Sequence, residues 1–167
     1  MLATAPSQCH NTSETAYPYH GTGMKKWTLR TDFGEYAISF TADERDVIKA
    51  GSEALKLLQQ TRTRSWELWM AVGTALLLLR DKVLKATGSP RPIGKTYNSV
   101  LSELLSLFDL VMDGGTRTRL FDLLEHRLEV EKWRDILTPD QARTFTHPNS
   151  VWRAWKASQQ QSQEPPR

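Results

Sequence analysis

Cysteine is almost missing from this sequence. Cys9 stands alone, so no internal disulfide can form, and a cytoplasmic setting is the expectation. Long apolar runs are missing too. The most apolar stretch, Trp69 to Leu79, is about half of the roughly 20 residues a membrane helix needs. It reads as a buried helix, and no membrane association is expected. Residues 1–24 hold no apolar segment of the kind a secretory signal requires. A strong charge of one sign is lacking as well. The 22 Lys and Arg against 19 Asp and Glu leave a net +3, which permits an anionic partner without demanding one. No repeat of fixed period is present.

What is there suits one domain. The chain has 167 residues, 39% of them hydrophobic, with six Trp, enough for a real core. It divides into three parts. Residues 1–24 are polar, rich in Ser, Thr and Pro, and aperiodic, so a disordered tail is expected. The end from Ser158, "SQQQSQEPPR", is low in complexity and is expected to be loose. The folded part is then 25–157.

That part opens with a β signal over 25–40. Trp27 and Leu29 alternate with polar residues, as do Tyr36, Ile38 and Phe40. Asp32-Phe33-Gly34 lies between, which predicts a hairpin with a loop of three to five residues. Everything after Phe40 reads as helix. Thr41 and Glu44 form a capping box. Val47, Ile48, Ala54, Leu55 and Leu58 follow as one stripe. Ser65 caps a second helix, from Trp66 to about Ala86, which Gly88 stops. It looks apolar on all sides, hence buried all round, as a central strut or part of a homodimer seam. In particular, Leu77 or Leu78 should be buried. A third helix is expected from about Thr96 to Val111, broken by Asp113-Gly114-Gly115. A fourth starts near Thr116, carries Leu120, Leu123, Leu124 and Leu128, and runs or kinks into Trp133, Ile136 and Leu137. Thr138-Pro139-Asp140-Gln141 gives another start. His147-Pro148-Asn149 turns into a last helix with Val151, Trp152 and Trp155.

The patterns that catalysis needs are poorly met. Cys9-His10 could pair a nucleophile with a base, but they sit in the aperiodic tail, where nothing fixes their geometry. His10, His20, His126 and His147 are scattered, with no Cys pair and no H-E-x-x-H, so no metal is expected. "GSPRPIGKTY" ends in Gly-Lys-Thr, like a phosphate loop. Gly88 is one residue too far from Gly94, prolines fill the loop, and a helix precedes it. Asp122, Glu125 and Glu129 could be working carboxylates, but alternation with Arg127 and Lys132 reads as a salt-bridged face. The reading is that the protein is not an enzyme and needs no cofactor.

Basic residues are distributed more suggestively. Residues 61–100 carry seven basic and two acidic groups, a net +5; residues 101–115 carry none and three, a net −3. Lys and Arg near helix C-termini complement the dipole, and others serve as solubilising surface. The functional alternative is a phosphate-tracking surface. It would be built from Arg62, Arg64, Lys85, Arg91, Lys95, Arg117, Arg119, Arg153 and Lys156. Trp152 and Trp155 are at helical spacing, which suits core packing. With Arg153 and Lys156 beside them they could also stack on bases or anchor a protein.

One set of spacings stands out: Trp69-x-x-Val72-Gly73-x-Ala75-Leu76 with Arg80; Pro92-x-Gly94-x-x-Tyr97; Arg119-Leu120; Val130-Glu131-x-Trp133-Arg134-x-x-Leu137; and His147-Pro148-x-x-Val151-Trp152-x-x-Trp155. It resembles a group of uncharacterised short helical proteins of alphaproteobacteria. The resemblance covers residues 66–157, implies a bacterial helical protein, and brings no catalytic residue with it.

The expectation is therefore a mainly α protein, a single compact helical bundle with a short N-terminal β-hairpin. Its expected function is non-enzymatic binding, as a small DNA-associated regulator. The alternative is an inhibitor or adaptor that grips another protein through its hairpin edge or an apolar patch.

Overall fold

A computed structural model describes residues 23–60 and 65–161 of the chain. The elements are β1 (Lys25–Thr31), β2 (Gly34–Phe40), α1 (Ala42–Gln60), α2 (Trp66–Thr87), α3 (Lys95–Leu107), α4 (Gly114–Glu125), α5 (Arg127–Asp135), α6 (Pro139–Thr144) and α7 (Pro148–Gln161). The fold is mainly α, a helical bundle with an N-terminal hairpin. The expectations for the N-terminal tail up to residue 22, and for 162–167, lie outside the described residues. Helix α7 runs to Gln161, past the end expected at residue 157, because nothing in "KASQQQ" breaks a helix.

β1 and β2 pair antiparallel, with Trp27 opposite Ile38 and Leu29 opposite Tyr36. These residues share the inner face, and Leu29, Ile38 and Phe40 are buried. The connection is tighter than expected. Thr31 pairs with Gly34, leaving only Asp32-Phe33 between the strands. Gly34 adopts φ 130°, open only to glycine, and the Thr31 hydroxyl accepts from the Phe33 amide at 3.2 Å. Trp27, Phe40 and Phe108 meet edge to face at 5.2–5.7 Å, which seats the hairpin on the helices.

The capping box of α1 forms as expected: the Thr41 amide donates to Glu44 (2.9 Å) and the Glu44 amide to the Thr41 hydroxyl (3.2 Å). Lys82 of α2 reaches the Glu44 carboxylate at 2.7 Å and donates to the Ser39 carbonyl at 2.8 Å. One ammonium thus joins hairpin, α1 and α2.

α2 is the strut, packed by α1, α3, α4 and β2. Close approach rests on two glycines. A Cβ on Gly51 would lie 2.4 Å from that of Ala75, and one on Gly73 would lie 2.6 Å from Leu124 Cδ1. Yet α2 is not buried all round. Glu67, Thr74, Asp81 and Lys85 form an exposed stripe, and Leu77 and Leu78 flank it, only half-buried. Burial belongs to Leu76, Leu79, Val72 and Val83. Four neighbours cover most of a helix's circumference and leave one strip to water.

α3 ends at Leu107, short of the expected Val111. Asp109 takes φ 55°, and the Leu110 and Asp109 amides donate to the Leu105 and Ser106 carbonyls at 2.8 and 3.3 Å. This is a Schellman closure, with Asp where glycine is usual, and it drives Leu110 into the core. Asp113 starts the next helix instead of merely breaking the last. Its carboxylate accepts from the Thr116 amide at 2.7 Å as the N-cap of α4. α4 stops at Glu125, and the restart at Arg127 shifts the helical phase. Val130 and Trp133 turn inward, while Leu128 (71% exposed) and Ile136 (80%) face water, contrary to expectation. α6 has the expected capping box between Thr138 and Gln141. The Arg134 guanidinium of α5 lies 4.6 Å from the Trp66 ring and donates to the Phe145 carbonyl in the α6–α7 turn.

Candidate nucleic-acid interface

Helices α4 and α7 pack together, and Leu120 and Leu123 of the one and Val151 and Trp155 of the other are buried. Their outer edges leave an open cleft of about 420 Å³ between Gly114, Gly115, Thr118 and Arg119 on one side and Asn149, Trp152 and Arg153 on the other. No acidic side chain lines it. Trp152 is half-buried in the wall. The Arg119 guanidinium lies 5.5 Å and the Lys156 ammonium 4.8 Å from its ring. Lys156 lies equally close to Trp155. His126, Trp152 and Trp155 form a tilted ring cluster at 5.0–6.1 Å that stiffens this end of the bundle.

The structure therefore brings Arg119, Arg153 and Lys156 together; Arg117, two residues before Arg119 on α4, does not line the cleft. Lys85, Arg91 and Lys95 do not line the cleft; they are exposed at the end of α2 and the start of α3. Arg62 and Arg64 lie outside the described residues. One of the cleft arginines has an ion-pair partner. Arg119 pairs with Asp122 at 2.8 Å. Arg117 lies near Tyr97, a buried phenol whose hydroxyl makes no hydrogen bond among the described residues. Burial pushes that hydroxyl's pKa up, and the Arg80 and Arg117 charges oppose the rise. The α4 N-terminus is not open to an anion in the way the sequence suggests. Asp113 already occupies it, and the Thr116 amide and hydroxyl hold the carboxyl below its ordinary range. Thr118 is not singled out in the sequence, and Asn149 and the Gly114-Gly115 pair are read there only as a turn and a helix break, not as site residues. Only the pairing of α4 with α7, across a long sequence separation, puts them in the cleft.

Several of the remaining candidates have structural partners. Asp122 serves Arg119, and Glu125 lies 3.6 Å from Arg80. Arg127 pairs with Glu131 at 2.7 Å. His147 packs edge to face on Trp69 at 5.1 Å, and its Nδ1 accepts from the Asn149 amide. Partial burial lowers its pKa, with Asp113 working the other way. The Gly94-Lys95-Thr96 segment follows helix α2 and opens α3, with no strand before it. Among the described residues, no three His, Cys, Asp or Glu side chains gather as a metal would need. Cys9, His10 and His20 lie outside those residues. No helix described is long and apolar enough to cross a membrane.

No protein-family model matches this chain, and no curated protein or solved structure is significantly similar to it.

Proposed function

We propose that the protein is a non-enzymatic, DNA-associated regulator that meets the phosphate backbone at the α4–α7 cleft. The observation that carries this reading is the gathering of Arg119, Arg153 and Lys156 around Trp152, in a cleft without a lining carboxylate. Cations held in this way contact phosphates without sequence preference and release counterions on doing so. Arg153 and Lys156 are exposed and have no ion-pair partner among the described residues. They are the groups to test. Arg153→Glu with Lys156→Glu should weaken binding to mixed-sequence DNA at low salt and flatten the salt dependence by about one unit of slope per lost contact. If wild-type protein binds no nucleic acid at low salt, the reading falls. If the double variant binds with unchanged affinity and slope, the surface has been misplaced.

A second reading, a protein-binding inhibitor or adaptor, is favoured by one observation. Leu107 (47% exposed) and Val111 (59%) lie apolar and exposed at the end of α3, the helix on which β1 packs. A pull-down from lysate with and without nuclease separates the two: a partner retained after nuclease treatment favours this one.

A further inference from the structure

Helix α7 has two faces of different character. Val151 and Trp155 are buried against the bundle. Around the helix from them lie Asn149, Arg153, Lys156 and Gln160, in steps of four, three and four. At 3.6 residues per turn these four fall within an arc of roughly 60°. Arg153, Lys156 and Gln160 are exposed, and Asn149 is half-exposed. Trp152 stands between the two faces. α7 has no acidic residue over Pro148–Gln161, so no like charge repels phosphates along its length. Asn, Gln, Arg and Lys are the side chains whose hydrogen-bonding groups match base edges in the major groove: Arg and Lys for guanine, Asn and Gln for adenine. The short α6 and the three-residue turn Phe145-Thr146-His147 precede this helix.

Resting on the DNA reading above, we infer that α7 is a recognition helix that lies in the major groove of duplex DNA and reads bases through Asn149, Arg153, Lys156 and Gln160. The cleft then flanks the groove. Arg119 sits across it, placed for a phosphate of the adjacent strand while Asp122 fixes its fork. Trp152 contributes as the rigid wall on which Arg119 and Lys156 are held. A solvated helix face is the bland account of the same residues, and it makes a different prediction. Solvating residues impose no base preference, and their loss affects all sequences alike.

The test uses the full chain. A random 20-base-pair duplex library is selected for binding, and the preferred duplex is compared with a scrambled duplex and with its own single strand. Dimethyl sulfate protection of guanine N7, a major-groove atom, is read on the preferred site. The expected result is a preferred sequence with protected N7 atoms. Arg153→Ala and Gln160→Ala should each cut the preference over the scrambled duplex about tenfold. Lys132→Ala, an exposed cation on α5, should leave that preference unchanged. A selection that returns no preferred sequence, or a preference that survives both variants, overturns the recognition helix while leaving non-specific DNA binding in place. Tighter binding to the single strand also overturns it, and points to base stacking on Trp152 instead. Absence of binding to any of the three probes removes the DNA reading and the inference together.

Discussion

Substituting Gly51 by alanine tests the packing of the two longest helices. In an exposed helix the change stabilises by about 1 kcal/mol, because alanine restricts the unfolded chain more and suits the helix better. At Gly51 the new methyl would stand 2.4 Å from the Ala75 methyl and 3.2 Å from the Ala71 carbonyl oxygen. Neither neighbour can turn aside: one is a methyl fixed on the backbone, the other is backbone itself. α1 must therefore move away from α2. A gap of about 0.5–1 Å forfeits a quarter to a half of the dispersion contact along the seam. Overpacking of this kind costs about 1–3 kcal/mol, and an unyielding site belongs at the upper end. Setting about 3 kcal/mol of strain against about 1 kcal/mol of helix propensity leaves a net loss of about 2 kcal/mol. For a domain of this size the melting temperature should drop by roughly 5 °C or more. Ala75→Gly removes the opposing methyl. The double variant should then be more stable than the two single losses predict, by at least about 1 kcal/mol. Calorimetry or urea titration of the four proteins gives the cycle. A stabilised Gly51→Ala protein, or strict additivity, would refute the close approach of α1 to α2.

Two further outcomes follow from the core and the helix start. Leu76→Ala should cost about 2–5 kcal/mol as a buried truncation, and half-buried Leu77→Ala clearly less; urea midpoints compare them, and equal losses would contradict the exposed stripe. Lys82 and then the Thr41 amide hold the Glu44 carboxyl below the usual glutamate range, so its contribution is present above that range and lost as pH falls through the lowered pKa. Melting temperatures from pH 7 down to pH 3 should therefore fall more steeply in the wild type than in Glu44→Gln, and parallel curves would show that the Lys82 bridge adds no stability.

Local chemistry was legible in the sequence wherever it is decided locally. The caps at Thr41, Ser65 and Thr138 and the stop at Gly88 follow from a few adjacent residues. So does the alternation that turns Leu29 and Ile38 inward. What failed depended on distant neighbours or on a residue acting out of type. Asp109 closes α3 in a conformation that favours glycine, so nothing in its identity announced the stop. Leu128 looked like a core residue because the helical phase was carried through His126, where the chain breaks and restarts. The apolarity of α2 suggested complete burial, whereas only tertiary packing decides where the uncovered strip falls. The site divided in the same way. Arg119, Arg153 and Lys156 could be named from residue type, but their convergence on Trp152, and the distance of Lys85, Arg91 and Lys95 from the cleft, depend on how α4 meets α7.

Arg134 gives that meeting one internal adjustment point. Its guanidinium rests on Trp66 at the first residue of α2 and holds the carbonyl of Phe145, just before α7 begins. α6 itself buries no side chain, and the turn after it is held by this contact together with buried Thr146 and Pro148 and the packing of His147 on Trp69. The direction in which α7 leaves the turn is therefore set in part from beneath, by a residue of α5. A change in the packing of Arg134 on Trp66 would shift that direction with every exposed side chain of α7 left as it is.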